Sequence, residues 1–256
     1  MSRSWELSPL EFIALWAGRG EWLPEPFHHR TEPGVTAVAA RRERAVAAAE
    51  LRERWGGLFD DVLDAVTRPD IRVVVHGVAP ADGTGVFALA TRTADQGYLI
   101  VQQPSGCAER AGGFTVTEQD VLELGDAVAA ALPECPAGSR PGFTVTDPAA
   151  DADLDHGYHR STVRDVIDTR PSKDADFGTA AADLAGTITV QQGVSRFGPR
   201  GINTVYLHWR DLTDDGRYVV VPGNPATVIP AGRSRLTSLV NAQIAEIVRA
   251  IKDDRA

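Results

Sequence analysis

Apolar and polar positions follow two rhythms along this chain. Apolar residues three and four apart predict helices, and short runs rich in Val, Ile, Thr and Tyr predict strands. Residues 4–7 read as a strand running into a helix, with Ser8 as N-cap, Pro9 in the first helical position and Glu11 at capping-box spacing. Phe12, Leu15 and Trp16 form the stripe of that helix, which stops at Gly18 and Gly20. A Pro-rich loop over 22–33 leads to a long helix over 36–55. Val38, Val46, Leu51 and Trp55 are expected on its inner side, opposite an Arg/Glu-rich face. Gly56-Gly57 ends it, and a shorter helix covers 60–67. Strands follow over 71–78, 86–92 and 98–103, the last two joined by a connection short enough for a hairpin. Phe114-Thr-Val then runs into a helix capped by Thr117, with Val121, Leu124, Val128 and Leu132 inward.

The second half repeats this order. A helical region over 155–184, interrupted at Pro171, precedes strands over 187–192, 204–211 and 217–221, with Asp214-Asp215-Gly216 as a hairpin turn. A short strand over 227–229 and a helix over 231–252 close the chain. Residues 84–103 align without a gap on residues 204–223 at a constant offset of 120. Thr84/Thr204, Thr93/Thr213, Asp95/Asp215, Tyr98/Tyr218 and Val101/Val221 are identical. Two copies are too few for a solenoid. The pattern predicts an α+β fold with pseudo-two-fold symmetry, a central antiparallel sheet flanked by N-terminal and C-terminal helical bundles. It predicts a single domain over 1–256 with half-repeats 1–133 and 134–256, joined in the Pro-, Gly- and Asp-rich stretch 133–155. The short links between strands leave no room for βαβ crossovers, which excludes a doubly wound nucleotide fold.

The net charge of −9 argues against a nucleic-acid partner. Only Lys173 and Lys252 among the 26 basic residues are lysine, which fits GC-rich coding in an actinobacterium. Cys107 and Cys135 read as free thiols in a reducing cytosol, since a domain of this size needs no staple. The N-terminus lacks a signal-peptide stretch and no segment is apolar enough to span a bilayer, so the expected location is cytoplasmic, without membrane insertion.

Candidate chemistry is sparse. Gly193-Val-Ser-Arg-Phe-Gly198 resembles a nucleophile elbow, but Phe197 stands where that turn requires Gly. Asp151, Asp153 and Asp155 open like a calcium loop, yet His156 and Thr162 occupy its Gly and Glu positions. His28-His29 and the pair His156/His159 lack a third ligand for zinc. No phosphate-binding glycine loop is present. The pentapeptide Gly-Phe-Thr-Val-Thr occurs at 113–117 and 142–146, but only the first copy leads into a helix pattern. Trp5, Trp16, Trp22 and Trp55 read as core contacts. The expectation is a binding protein, not an enzyme, with no cofactor and no metal.

Four segments resemble the EspG family of type VII (ESX) secretion-associated proteins. Trp5-Glu-Leu-Ser-Pro-Leu-Glu-Phe is similar to its strand-to-helix opening. Leu51-Arg-Glu-Arg-Trp-Gly-Gly-Leu resembles its L-x-x-R-G-L segment with Trp55 inserted. Asp211-Leu-Thr-Asp-Asp-Gly-Arg-Tyr218 resembles its D-T-x-x-G-R-Y hairpin, lengthened by one residue and with Leu212 where Thr is usual. Thr227-Val-Ile-Pro230 and the helix after it resemble its C-terminal v-x-P-a helix. The resemblance implies a cytosolic chaperone, a monomer or weak dimer, that binds the PPE subunit of a PE–PPE heterodimer and keeps it soluble for export. The connection over 79–85 is short where some relatives carry a long loop that affects partner choice. A partner held by the sheet and the last helix would meet Asp82, Ser238, Asn241 and Gln243 as a polar rim, beside the core stripe Leu236, Leu239, Val240, Ile244, Ile247 and Ile251. The rivals are a hydrolase using Ser195 with His208 or His159, and a scaffold that self-assembles through its sheet edges.

Overall fold

A computed structural model describes residues 3–17, 23–29, 34–104, 112–145 and 177–255. Trp22, Cys107, Thr146, the carboxylates Asp151, Asp153 and Asp155, and His156, His159, Thr162 and Pro171 lie outside them.

Among the described residues, ten strands form one antiparallel sheet: β1 (Ser4–Leu7), β2 (Ile71–Val78), β3 (Gly85–Thr93), β4 (Gln96–Gln102), β5 (Phe114–Gln119), β6 (Phe143–Thr144), β7 (Ala182–Gln192), β8 (Thr204–Leu212), β9 (Gly216–Val221) and β10 (Thr227–Pro230). Their order is β1-β5-β4-β3-β2-β7-β8-β9-β10-β6. Reading outward from the central β2–β7 pair, each strand of the first half meets its counterpart five strands later, so the order has the expected two-fold symmetry.

Helices α1 (Pro9–Ala17), α2 (Ala37–Trp55) and α3 (Leu58–Thr67) cover one face of the first half. α4 (Leu124–Ala131) and α5 (Arg233–Arg255) cover the opposite face. Alternation along each strand divides the apolar side chains between the two layers. Val73, Val75, Ala88, Ala90 and Leu99 join Leu124, Val128, Leu236, Val240 and Ile244 in one cluster. Val74, Leu89, Tyr98 and Ile100 join Phe12, Trp16, Leu51 and Phe59 in the other, where the Phe12 and Phe114 rings stack 3.9 Å apart.

The capping box forms as read: the Ser8 N–H donates to Glu11 Oε2 (2.7 Å) and the Glu11 N–H to Ser8 Oγ (3.3 Å). Arg54 Nη2 reaches the same carboxylate at 2.7 Å, joining α1 to the end of α2. Thr36 caps α2 through the Ala39 N–H, and Gly56 closes it at φ 58°. The expected inner side of α2 is corrected. Ala47 and Leu51 are buried, whereas Val38 is 79% and Val46 51% exposed. Leu51 belongs to the α1–α3 cluster, which contains neither Val38 nor Val46.

Thr117 is no helix cap. It lies inside β5, opposite Leu99 on one side and Ser4 on the other, and ladder pairing with two neighbours outweighs its capping propensity. The turn falls later, where the Leu122 N–H donates to Asp120 Oδ1 (2.8 Å), and α4 starts at Leu124. At the far end of the helical region expected over 155–184, Ala182 already opens β7.

The gapless repeat is also corrected. The β3–β4 turn has two residues between Thr93 and Gln96, whereas the β8–β9 turn has three between Leu212 and Gly216. The offset of 120 therefore holds for β4 and β9, where Leu99 and Val219 share a cluster, but slips by one residue in β3 and β8. Ala88 and Ala90 face the layer that Leu207 and Trp209 face, not His208 and Arg210. A one-residue shift turns every side chain to the other face, so the identities Thr84/Thr204 and Thr93/Thr213 are not structural equivalents.

Trp209 settles at the centre of the sheet. Gly77 and Gly186 are register partners in β2 and β7, and a Cβ on Gly77 would stand 2.6 Å from Trp209 Cζ2. The glycine pair opens the notch that the indole fills.

The β8–β9 hairpin carries the main buried polar constellation. Asp211 and Arg217 are register partners, and the guanidinium meets both carboxylate oxygens at 2.7 Å. The two side chains are 8% and 1% exposed. Arg217 Nη2 also donates to the Pro133 carbonyl (3.0 Å), its backbone N–H to the Pro136 carbonyl (2.7 Å), and the Ala231 N–H to the Arg217 carbonyl. One residue on, the Tyr218 hydroxyl donates to Asp215 Oδ2 (2.8 Å) and accepts the Arg140 N–H. Asp215 Oδ1 accepts both the N–H and the hydroxyl of Ser139. The hairpin thus holds the segment that joins the halves and the start of α5.

Two expectations follow. Asp211→Asn leaves a buried guanidinium without its counter-charge and should cost about 3–5 kcal/mol in urea unfolding, while Asp211→Leu with Arg217→Met recovers much of the loss. The hydrogen bonds from Ser139 and Tyr218 hold the Asp215 carboxyl below its ordinary range. A carboxylate depressed by folding contributes stability above its unfolded pKa of about 3.9, and that contribution is lost as pH falls through the folded value. Asp215→Asn should therefore lower the melting temperature at neutral pH, and the difference from wild type should close in strong acid.

Candidate partner surface

The sheet face opposite α5 is the broadest functional candidate. In the first half α1–α3 cover it. In the second half β7 and β8 present Thr187, Thr189, Tyr206 and His208 between them, with Tyr206 52% exposed. Period-two alternation places these residues back to back with the buried Ile188, Leu207 and Trp209. Thr187 Oγ1 and His208 Nδ1 lie 3.0 Å apart in a hydrogen bond, and the Tyr206 and His208 rings stack at 6.4 Å. Toward the start of β7 the strip is closed by Arg210. Its guanidinium binds the carbonyls of Phe177, Gly178 (2.8 Å) and Ala180 (2.6 Å) and stacks over the Phe177 ring. On β2, His76 stacks on Phe87, against which His28 sets its edge. Partial desolvation, then the nearby His28, holds the His76 imidazole below its ordinary value.

The four rim residues stand apart from this strip. Asp82 lies in the β2–β3 connection and accepts the N–H (2.9 Å) and hydroxyl (2.7 Å) of Thr84, bonds that keep its carboxyl low. Ser238, Asn241 and Gln243 are on α5, across the sheet from the Tyr206 strip. Ser238 is exposed, its hydroxyl returned to the Ser234 carbonyl (3.0 Å), and Gln243 is half-buried. Asp82 and the start of α5 lie toward the same end of the sheet. Val78 opposes Ala185 and Leu184 opposes Asp211, the partner of the Arg217 that binds Ala231. Asn241 has a second role: a Cβ on Gly125 would overlap its carboxamide, so it forms part of the α4–α5 seam.

Ser195 is not set up as a nucleophile. It is 8% exposed, and its hydroxyl donates to Asp254 Oδ2 (3.2 Å) while accepting the Phe197 N–H (3.3 Å). His208 sits four residues into β8, about 13 Å beyond the strand's first residue at 3.3 Å per residue, and bonds Thr187. Among the described residues no group of three His, Cys, Asp or Glu could hold a metal, and no helix is long and apolar enough to cross a membrane. Burial, then the Asp211 charge, pushes the Cys135 thiol up, away from thiolate chemistry.

Sequence reasoning missed the exposure of Tyr206, Val194 and Phe197. The signal was present for Tyr206, which alternates with Leu207 in a strand whose other face carries Trp209. Val194 and Phe197 lie in an irregular connection, where no period distinguishes an inner face from an outer one.

Among the described residues, a symmetric antiparallel sheet carries helices on both sides and leaves Tyr206 of β8 exposed. The chain belongs to the EspG family, whose model matches residues 8–242. Its fold is similar to that of the type VII secretion system chaperone EspG5 of Mycobacterium tuberculosis, solved in complex with the PE25–PPE41 dimer. The TM-score is 0.54 at 11% sequence identity, over 93% of this chain and 94% of that one. No curated protein sequence is significantly similar to this one.

The Asn241 contact separates seam from rim. Gln243→Arg should leave the melting curve within ~0.5 kcal/mol of wild type. Gly125→Ala should stay within about 1 kcal/mol of wild type, because its Cβ meets only the end of the exposed Asn241 side chain, which can swing aside, and Ala is the better helix former.

Proposed function

We propose that this protein is a cytoplasmic chaperone of a type VII secretion system that binds the PPE subunit of a PE–PPE heterodimer and keeps the pair soluble for export. The observation that carries this reading is the fold similarity to EspG5, solved in complex with PE25–PPE41, over nearly the full length of both chains. The family match over residues 8–242 supports it independently. The physical logic is that an exposed apolar tip on a helical cargo self-associates unless a complementary surface buries it with a polar rim.

On this reading the protein is not an enzyme: it works by binding alone, without a cofactor. We read residues 1–256 as a single domain built from half-repeats 1–133 and 134–256, acting as a monomer or weak dimer. Asp82, Ser238 and Gln243 form the partner rim, with Asn241 contributing both to the rim and to the α4–α5 seam.

Co-expression with a PE–PPE pair encoded nearby in the genome tests the function. The expected result is a stable complex and a PE–PPE pair that stays soluble with this chain and aggregates without it. Gln243→Arg with Ser238→Arg should weaken the complex at an unchanged melting temperature. Ester hydrolysis by the pure protein that disappears with Ser195→Ala would overturn the reading.

A further inference from the structure

We propose that the β7–β8 connection, residues 193–203, is a second anchor for the PE–PPE partner, inserting Phe197 and Val194 into an apolar recess rimmed by carboxylates. This rests on the chaperone reading above and goes beyond it by assigning a contact at the opposite end of the sheet from Asp82 and the start of α5.

The first observation is exposure. Val194 is 69% and Phe197 64% exposed, and the 52% exposed Tyr206 follows two residues into β8. Large side chains of this kind, grouped in one short stretch, mark interaction sites more often than isolated exposed residues do.

The second is rigidity. Gln192 Nε2 donates to the Val194 carbonyl (2.8 Å) and to Asp254 Oδ2 (3.0 Å), and Gln192 Oε1 accepts the Asn203 amide (3.0 Å). Ser195 bonds Asp254 and the Phe197 N–H. The Gly198 N–H returns to the Ser195 carbonyl, and the Gly201 N–H to the Gly198 carbonyl. Gly201 leaves room for the buried Ser195 hydroxyl, which a Cβ there would approach to 2.6 Å. The loop is fastened to both its flanking strands and to the end of α5, while Val194 and Phe197 stay exposed. A loop held in place before binding loses little entropy when it binds.

The third is charge. Arg196 and Arg200 are exposed, and the Arg196 guanidinium stacks over the Phe197 ring at 4.8 Å. Neither pairs with a carboxylate among the described residues, and the one carboxylate in the network, Asp254, is engaged by Gln192 and Ser195. On a chain of net charge −9 this is a local positive feature, and aromatic and Arg side chains dominate binding hot spots. A recess that accepts the ring and offers acids to the two guanidiniums matches it.

The symmetry-related β2–β3 connection differs. It is short and closes on itself: the Ala79 N–H donates to the Thr84 carbonyl, the Gly83 N–H to the Ala79 carbonyl, and Asp82 holds Thr84. Because β2 and β7 are antiparallel, the two connections leave opposite ends of the sheet, about 23 Å apart at 3.3 Å per residue.

The test uses the full chain co-expressed with its PE–PPE pair, with affinity by calorimetry and melting curves alongside. One variant carries Val194→Ser and Phe197→Ser, the other Arg196→Glu and Arg200→Glu. Each should weaken binding about tenfold or more at unchanged melting temperature, as expected for exposed hot-spot side chains. The affinity of the charge-reversed variant should no longer fall with added salt as the wild type's does. Binding within about twofold of wild type in both variants would overturn the anchor and leave the chaperone reading standing. Loss of binding together with a lowered melting temperature would assign these residues to the fold and overturn the anchor as well. A wild-type chain that binds no PE–PPE pair overturns the chaperone reading, and the anchor with it.

Discussion

The bidentate contact between Asp211 and Arg217 is the interaction on which the second half depends. It crosses the β8–β9 hairpin inside the sheet, and it gathers the Pro133 carbonyl through the same guanidinium. The Arg217 backbone binds the Pro136 carbonyl and the Ala231 N–H. Three chain segments distant in sequence therefore converge on one residue. Paired charges out of water are tolerated only when their geometry satisfies both, which two 2.7 Å bonds in register provide. The Asp-to-Arg hairpin that resembles the family's D-T-x-x-G-R-Y segment thus has a physical reason. It joins the crossover between halves to the start of the last helix.

Symmetry sets the sheet and then departs from itself where side chains must fit. Two half-sheets meet at β2 and β7, where Gly77 and Gly186 face each other, and Trp209 from one half fills the space that both glycines leave. The corresponding position on β3 carries Ala90, so the indole is supplied once and from one side. The extra residue in the β8–β9 turn, which slips the repeat by one, accompanies this asymmetry. In the first half three helices cover the outer face. In the second, Tyr206, His208, Thr187 and Thr189 form a half-open strip.

These features suit a protein that presents surface rather than one that encloses a substrate. Its polar groups are used to fasten loops and strands: Asp215 to Ser139, Asp82 to Thr84, Ser195 and Gln192 to Asp254. Among the described residues, the large apolar side chains left outside are Leu10 on α1, Val35, Val38 and Val46 at and along α2, Leu122 before α4, Val194 and Phe197 in the β7–β8 connection, and Tyr206 on β8. The chain belongs to the EspG family, and on the chaperone reading proposed above this distribution is the surface a PE–PPE partner would meet.

The antiparallel pairing of successive strands was legible in the sequence because hairpin links are too short for anything else, whereas the neighbours β1–β5, β2–β7 and β6–β10 are distant in sequence and left no local mark. Ser8, Pro9 and Glu11 announced the α1 start, since a capping box is satisfied by three nearby residues and needs no tertiary partner. Thr117 was misread because its capping propensity is local, whereas its pairing with Leu99 and Ser4 depends on strands distant in sequence. Val38 and Val46 were misread for the same reason: periodicity marks one side of a helix but does not say how much of its length another element covers. The repeat could be seen, but not its one-residue slip, because identity between letters carries no information about which face a strand residue takes. Of the rim residues, Asp82, Ser238 and Asn241 are exposed and Gln243 is half-buried. The packing of Asn241 on Gly125 arises only when two helices over 100 residues apart meet. Composition and period thus determined most of the elements and the pairing of consecutive strands, which are governed by local chemistry and short connections. Which side chains end up covered, and which remain open to a partner, was decided by long-range packing alone.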